Sequence, residues 1–143
     1  MINNLILYYN SIIELNNVKI INKVNSEISI KCDHVLMYKA IGNIIKNSIL
    51  YNKKNGEVEI NFYKRDNCIF ISIKDTGIGI SPEYFQKVFE KFYRLNQENQ
   101  YEAQGVGVGL YISEKVINMH EGEIILESSL NIGSNFNIKL NDL

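Results

Sequence analysis

The chain has 143 residues, of which 45% are hydrophobic and 22% are charged. This length suits one domain that buries about two-thirds of the surface of its unfolded chain. Fifteen basic and sixteen acidic residues leave the chain nearly neutral, which argues against a broad basic surface for nucleic acid. No apolar run reaches membrane-spanning length and residues 1–10 lack a signal-peptide pattern, so neither feature is expected. Cys32 and Cys68 form no metal-binding motif and are expected to be buried, reduced cysteines.

The N-terminal third predicts two helices separated by a hairpin. Apolar residues within 2–15 recur at helical spacing, which predicts a short amphipathic helix. Two alternating stretches, 18–24 and 27–32, are joined by Asn25-Ser26 and predict a β-hairpin. Asp33 is a candidate N-cap for a long helix that runs to about residue 51.

The middle of the chain predicts two strands and a further helix. Residues 57–63 and 68–74 alternate strongly and indicate strands joined by a turn. Ser81 and Pro82 fit the N-cap and first position of a helix. One apolar face of that helix would hold Phe85, Val88, Phe89 and Phe92, and both Phe89 and Phe92 are expected in the core.

The C-terminal part predicts a loop, a helix and two strands. Residues 95–104 are polar without a period and predict a mobile loop. A helix from about 106 to 120 follows, with an apolar stripe formed by Val108, Ile112, Val116 and Met119. Residues 123–127 and 135–140 read as strands. Because strands and helices do not alternate strictly, the sequence predicts an α+β fold, a two-layer sandwich.

Five of the nine glycines lie in two clusters, 75–80 and 105–110. One such cluster indicates a turn as readily as a site, but two around a polar loop favour a ligand site. A P-loop is excluded because no Lys-Ser or Lys-Thr follows either cluster. The two clusters also do not match the glycine fingerprint of dinucleotide-binding folds or the glycine-rich loop of protein kinases. Gly105, Gly107 and Gly109 lead into a predicted helix, which places their amides to face an anion.

Two sets of polar residues stand out against this background. Asp75 continues an every-second-residue series of three isoleucines in its predicted strand. Because alternate side chains of a strand point to the same face, its carboxylate is directed towards the same apolar layer. It either caps the Asp-Thr-Gly turn or accepts from an amino group such as that of adenine, with Gly77 and Gly79 admitting the ring. Asn43 and Asn47 share one helical face among isoleucines, and an amide oxygen suits Mg²⁺ that already carries phosphates.

These motifs together resemble the catalytic and ATP-binding domain of bacterial sensor histidine kinases, a member of the Bergerat-fold ATPases. Four boxes occur in that family's order: an N box at 43–48, a glycine box at 75–79, an F box at 89–94 and a second glycine box at 105–110. The resemblance covers about residues 18–140. It implies a mixed, mainly antiparallel sheet covered on one face by about three helices.

The resemblance implies a role for each matched residue. Asn47 would ligate Mg²⁺ and Asn43 would help to bind the triphosphate of ATP. Asp75 would accept a hydrogen bond from adenine. The other implied ATP-binding positions are Tyr51 and Tyr93 near the base or ribose, Lys91 and Arg94 at the phosphates, Gly77 and Gly79 around the purine, and Leu110. Gly105, Gly107 and Gly109, with the loop before them, would form a lid over the triphosphate.

At positions 43 and 50 the chain carries residues that differ from those of related proteins. The gyrase-like, mismatch-repair and anti-sigma-factor relatives carry a glutamate where this chain has Asn43, and an amide takes no proton at neutral pH. The resemblance therefore implies little hydrolysis, with an incoming histidine imidazole as nucleophile. Leu50 stands where the family usually has a lysine, so weaker ATP affinity is expected, with Lys53 or Lys54 an imperfect substitute.

The phosphoacceptor motif of that family is not found around His34 or His120. The resemblance thus implies that 1–17 is a linker from a missing dimerisation and phosphoacceptor domain, and that 18–143 is the catalytic domain. That domain would be monomeric, cytoplasmic, without nucleic-acid or membrane contact, and unable to phosphorylate itself, within a membrane-anchored parent. Its partners would be the dimerisation domain and a response regulator receiver domain. A degenerate nucleotide-sensing module and an anti-sigma-type serine kinase remain as alternatives.

Overall fold

The computed structural model describes residues 1–24, 27–95 and 105–142, and combines one sheet with a helical layer. The helices are α1 (Ile2–Tyr8), α2 (Asn10–Asn16), α3 (His34–Leu50) and α4 (Gly109–Met119). The strands are β1 (Lys19–Asn22), β2 (Glu57–Arg65), β3 (Cys68–Asp75), β4 (Glu123–Ser129) and β5 (Gly133–Asn141). None of the helices in these ranges has the length and apolar character needed to cross a bilayer.

The five strands form a sheet in the order β1-β2-β3-β5-β4. β1 pairs with β2 in parallel, and the other neighbours pair antiparallel. β2 and β3 are joined through Asp66 and Asn67, whose positive φ values of 51° and 57° suit a tight hairpin turn. The predicted α+β sandwich with a mixed, mainly antiparallel sheet is confirmed.

The core lies between α3 and the sheet. α3 begins where predicted, because the Asp33 side chain accepts a hydrogen bond of 2.9 Å from the Leu36 amide. Its buried isoleucines are Ile41, Ile44, Ile45 and Ile49, and they pack in one cluster with Ile60, Ile71, Ile73 and Ile138 of the sheet. Each such side chain contributes about 1.5–3 kcal/mol when fully buried.

The N-terminal residues form two short helices where one was predicted. The break falls at Tyr9, between α1 and α2. Ile2 and Leu5 of α1 are buried in the core cluster. A Cβ at Gly42 of α3 would lie 3.0 Å from Leu5 Cδ2 and 3.2 Å from Tyr9 Oη, so the glycine permits this close packing.

The predicted hairpin over residues 18–32 is wrong. β1 pairs in parallel with β2, and residues 27–32 form no strand. Asn25 and Ser26, the expected turn, lie outside the described residues. Ile28, Ile30 and Cys32 do pack against the core, so their alternation reflects burial of side chains rather than strand pairing.

The predicted α-helix after Pro82 is also wrong. Two 3-10 turns occupy Pro82–Tyr84 and Lys87–Phe89. Ser81 and Pro82 do take the N-cap and first position of the first turn, but the Ser81 side chain bonds no amide there. Phe89 does contact the core through the Phe136 ring. Phe92 is 61% exposed rather than buried, and its φ of 65° ends any helical path.

Smaller differences concern α4 and the segment before it. α4 begins at Gly109 rather than near 106, and Met119, expected on its apolar stripe, is 71% exposed. The strand predictions in this part are confirmed, with β4 and β5 slightly longer than expected. The predicted loop over 95–104 falls, apart from Leu95, outside the described residues.

Candidate functional site

A cavity of about 320 Å³ lies between α3, the end of β3 and the start of α4. Most of the residues singled out in the sequence line it: Asn43, Asn47, Tyr51, Asp75, Gly79, Tyr93, Arg94, Gly105, Gly107, Gly109 and Leu110. Gly77 and Lys91 are not among its lining residues. The fold thus brings four separate segments of the sequence to one concave site.

One face of α3 lines this cavity while another enters the core. Asn43, Lys46, Asn47 and Leu50 follow one another at helical spacing, and all four line the cavity. Because the isoleucine face of α3 is fully buried, the rotation of the helix about its axis is fixed. The two asparagines are therefore held towards the cavity by packing on the far side of the helix.

Asp75 is a buried carboxylate at the end of β3, only 7% exposed. Its Oδ1 accepts hydrogen bonds from the amides of Gly77 at 2.8 Å and Ser134 at 3.1 Å. No donor in the described parts of the chain bonds its Oδ2. Asp75 therefore caps the Asp-Thr-Gly turn with one oxygen, while its other oxygen has no hydrogen bond from a described donor.

Electrostatics at Asp75 are set mainly by burial, which raises the pKa of its carboxyl above the ordinary value. The Gly77 and Ser134 amides and the nearby Ser48 hydroxyl act in the opposite direction on that pKa. Ser48 lines the cavity and is 1% exposed, yet its hydroxyl lies outside hydrogen-bond geometry with Asp75 or any other described group. A buried hydroxyl left unpaired costs about 1–3 kcal/mol. This end of the cavity thus offers two unused polar atoms, Asp75 Oδ2 and Ser48 Oγ.

Gly77 and Gly79 shape the chain that leaves Asp75. A Cβ at Gly77 would collide with the carbonyl oxygen of Tyr51 at the end of α3. A Cβ at Gly79 would collide with the carbonyl oxygen of Ser129, and Gly79 has a φ of 71°. Gly77 does not line the cavity itself. It affects the site by allowing the backbone after Asp75 to pass close to the end of α3.

The second glycine cluster joins the cavity to α4. Gly107, with a φ of 74°, accepts a hydrogen bond of 2.8 Å from the Phe92 amide. The Asn43 side chain donates a hydrogen bond of 3.2 Å to the carbonyl of Gly109, the first residue of α4. α4 has no side-chain cap and no acidic residue in its first turn. Its N-terminal amides and helix dipole are therefore suited to an anion in the cavity.

Only part of the segment from Lys91 to Arg94 lines the cavity. Tyr93 and Arg94 line the cavity, and the Tyr93 ring lies 6.4 Å from that of Tyr84. The Lys91 ammonium instead lies over the rings of Phe92 and Tyr111, at 5.3 and 5.9 Å from their centroids. The phosphate contact implied for Lys91 therefore stays a prediction, while its observed neighbours are aromatic.

Four polar or aromatic lining residues were not singled out in the sequence: Lys46, Ser48, Ser134 and Phe136. Lys46 could have been identified from the sequence, because it follows Asn43 by three residues and so lies on the same helical face. Ser134 and Phe136 reach the cavity from β5, whose Phe136 pairs with Ile73 of β3. No local pattern could have placed β5 beside the glycine cluster.

A metal ion in this cavity would need ligands beyond protein carboxylates. No group of three His, Cys, Asp or Glu in the described ranges could hold one. The described lining residues carry one carboxylate, Asp75, and two cations, Lys46 and Arg94. The amide oxygen of Asn47 is a hard ligand that suits Mg²⁺ sharing its other positions with phosphates and water.

Comparison with known proteins adds independent information. Residues 32–142 match the profile of the family described as histidine kinase-, DNA gyrase B- and HSP90-like ATPases. Sensor histidine kinase RppB of Synechocystis sp. is 36% identical over 104 residues, which are 73% of this chain and 23% of RppB. The chain spans less than a quarter of the length of the curated relatives it matches.

Solved structures show the same fold at lower identity. The catalytic domain of histidine kinase ThkA superposes with a TM-score of 0.83 at 22% identity, covering 99% of this chain and 91% of that one. ThkA in complex with response regulator protein TrrA gives 0.80 at 20% identity, covering 99% of this chain and 39% of that chain. The sheet and helices described above therefore adopt the arrangement of these catalytic domains.

Proposed function

The chain belongs to the histidine kinase-, DNA gyrase B- and HSP90-like ATPase family, and on that premise we propose that its cavity binds ATP for phosphorylation of a histidine. The γ-phosphate would be presented to an imidazole on a separate dimerisation domain, and the phosphoryl group would pass on to a response regulator. The observation that carries this proposal is the pairing in one cavity of a buried carboxylate, Asp75, with a helix face bearing Asn43 and Asn47.

The adenine would bind at the Asp75 end of the cavity. Asp75 Oδ2 would accept from the exocyclic amino group, because Oδ1 is already bonded by the Gly77 and Ser134 amides. This arrangement favours adenine over guanine, whose carbonyl at the same ring position offers no proton to a carboxylate. Tyr51 and Tyr93, which also line the cavity, would pack near the base or ribose.

The triphosphate would extend along α3 towards the start of α4. Asn43 lies there, already bonded to the Gly109 carbonyl. The α4 N-terminus supplies amides and a positive dipole end without an acidic residue to oppose a phosphate. Gly105, Gly107 and Leu110 would cover the phosphates, with Arg94 adding positive charge.

Mg²⁺ would be held by the Asn47 amide oxygen and by oxygens of the nucleotide and water. Asn47 fits this role because it lines the cavity and because Mg²⁺ takes few protein ligands when phosphates are present. When bound, the ion neutralises charge that develops on the transferred phosphoryl group.

The described cavity contains no group suited to activating water. Its one described carboxylate, Asp75, lies at the adenine end, and position 43 is an amide. A neutral imidazole has its own lone pair and needs no strong base to attack the γ-phosphate. The site therefore favours transfer to histidine over hydrolysis.

The acceptor and the downstream partner would lie outside this chain. We place them in a dimerisation and phosphoacceptor domain joined through residues 1–17 and in a receiver domain, with this cytoplasmic domain a monomer by itself. ThkA has been observed in complex with response regulator protein TrrA, which supports the second of these partners. Residues 1–17 are not detached from the domain, since Ile2 and Leu5 pack in its core.

The test is transfer in trans. The chain would be incubated with γ-labelled ATP and Mg²⁺ together with the dimerisation and phosphoacceptor domain of its parent protein. Acid-labile label on a histidine of that domain is the expected result. Nucleotide binding without transfer would show a nucleotide-sensing module instead, and acid-stable label would show a serine kinase.

A further inference from the structure

Lys46 stands out among the lysines on or next to α3. It lines the cavity between Asn43 and Asn47, and its side chain is partly buried. Lys39, two turns earlier on the same helical face, is exposed and does not line the cavity. Lys53 and Lys54, just beyond the helix, are exposed and also lie outside the lining.

Among the residues that the structure describes, none forms an ion pair with Lys46. Its ammonium forms no hydrogen bond with them either, whereas six other basic side chains form ion pairs there. The one carboxylate in the described lining, Asp75, belongs to the other end of the cavity, beside the C-terminal turn of α3. A partly desolvated cation attracts an anion more strongly than a fully hydrated one does.

Helix geometry places this charge away from the Asp75 end. Position 46 lies one turn, about 6 Å, before Leu50 on the cavity face of α3. Side chains on a helix lean towards its N-terminus, so we expect the Lys46 side chain to extend towards Asn43 and the start of α4. That region also has the uncapped amides of α4. Three cation-like features, the ammonium, the α4 dipole and Arg94, therefore border the same anion site.

We propose that Lys46 binds the terminal phosphates of the nucleotide, supplying from one turn earlier on α3 the positive charge that Leu50 does not. The proposal rests on the proposed function, since it deepens the assignment of the cavity to ATP. The proposed role of Lys46 predicts a result that metal binding by Asn47 alone does not predict. An ammonium beside the phosphates would partly replace Mg²⁺, so the chain retains measurable affinity for the triphosphate when the metal is removed.

The proposal is tested with Lys46→Gln, which keeps the length and polarity of the side chain but removes its charge. Binding of AMP-PNP, a non-hydrolysable ATP analogue, would be measured by calorimetry with Mg²⁺ and with a chelator, and binding of AMP by competition. Loss of a hydrogen bond to a charged group should weaken AMP-PNP binding about 10- to 100-fold in chelator. A smaller loss is expected with Mg²⁺, and no change for AMP. Lys39→Gln is the matched control and should bind like the wild type.

A second variant separates charge from structure. Lys46→Gln combined with Leu50→Lys returns one ammonium to the same helix face and should recover part of the AMP-PNP affinity. Unchanged AMP-PNP affinity in the single variant would overturn the proposal, as would an equal loss for AMP. If the wild-type chain bound neither nucleotide, the proposed function itself would fail, and the role of Lys46 would fall with it.

Discussion

The side chain of Asn43 on α3 donates a hydrogen bond of 3.2 Å to the carbonyl of Gly109, the residue that begins α4. The Ser113 hydroxyl of α4 donates a hydrogen bond of 2.8 Å to the carbonyl of Ala40 on α3. These two contacts tie the start of α4 to α3. The position of the α4 amides is thus set by a polar residue of the site and not by apolar packing alone.

Gly109→Ala should separate stability from nucleotide binding. An added Cβ would lie 3.6 Å from Asn43 Cβ, an ordinary contact, and replacing glycine by alanine stabilises by about 0.4–1 kcal/mol because it restricts the unfolded chain. The free energy of unfolding should therefore rise slightly, while the methyl group on the cavity wall weakens ATP binding. Asn118→Ala is the control, because Asn118 is an exposed residue of α4 outside the cavity lining, and its ATP affinity should equal that of the wild type. Chemical denaturation and calorimetry measure the two effects; an unchanged affinity in Gly109→Ala would remove that glycine from the phosphate site.

Asp75→Asn should weaken adenine nucleotide binding by about 1–3 kcal/mol, the cost of a mismatched buried polar partner. The asparagine oxygen can still accept from the Gly77 and Ser134 amides, so the turn itself should survive. Its amide nitrogen would face the adenine amino group, donor against donor. Calorimetry with an ATP analogue checks this, and wild-type affinity in the variant would exclude Asp75 from adenine recognition.

The same variant carries a pH prediction. Burial raises the pKa of the Asp75 carboxyl above its ordinary 3.8, so the folded state favours the protonated form. Its contribution to stability is fully present below pH 3.8 and is lost as pH rises through the native pKa. Without nucleotide, Asp75→Asn should therefore be more stable than the wild type at neutral pH, with the difference shrinking towards acid. Denaturation curves over pH measure it, and a variant less stable at neutral pH would contradict this electrostatic picture.

Asn47→Ala should abolish the enhancement of ATP binding by Mg²⁺. The described residues offer no carboxylate cluster that could take over the metal, so the loss should be nearly complete. Asn61→Ala is a suitable control, since Asn61 lies on β2 outside the cavity lining. Binding of the analogue with and without Mg²⁺ checks the prediction. A metal effect that survived in Asn47→Ala would place the ion elsewhere.

His120 has a structural role that can be tested in the same way. Its Nε2 accepts a hydrogen bond of 3.0 Å from the Asp33 amide, so Nδ1 carries the proton and donates to the Val116 carbonyl at 2.7 Å. His120→Ala should lower the free energy of unfolding by about 1–2 kcal/mol, because both bonds are lost. His34→Ala, at an exposed position, should change it little. ATP affinity should be the same in both variants; a large loss in His120→Ala alone would give His120 a role in the site.

Much of the fold could be predicted from local patterns. α3 has a long buried stripe and an Asp33 cap, and β2 and β3 alternate strictly around a short turn. β1 could not be paired correctly, because its partner begins at Glu57 and a parallel pairing leaves no local signal. The segment before Phe92 has helical spacing but forms two 3-10 turns, and the Phe92 amide then donates to the distant Gly107 carbonyl, a contact without a local signal.

The candidate site was predictable where its residues were chemically unusual for their surroundings. Asn43 and Asn47 interrupt an isoleucine-rich helix, and Asp75 follows an apolar strand, so each could be singled out in the sequence. Lys46 was missed because a lysine on a helix is most often a solvated residue. Ser134 could not be linked to Asp75 from local pattern, since only the pairing of β3 with β5 brings the two residues together.

The central claim, that the cavity is an ATP site, is tested most directly by calorimetric titration of this chain with AMP-PNP, with and without Mg²⁺, and with GTP as control. Adenine-selective binding that Mg²⁺ strengthens is the predicted result, because in the proposed site Asp75 Oδ2 would select the amino group and Asn47, which also lines the cavity, would supply a metal ligand. No binding of AMP-PNP to a folded sample, or equal binding of GTP, would contradict the account.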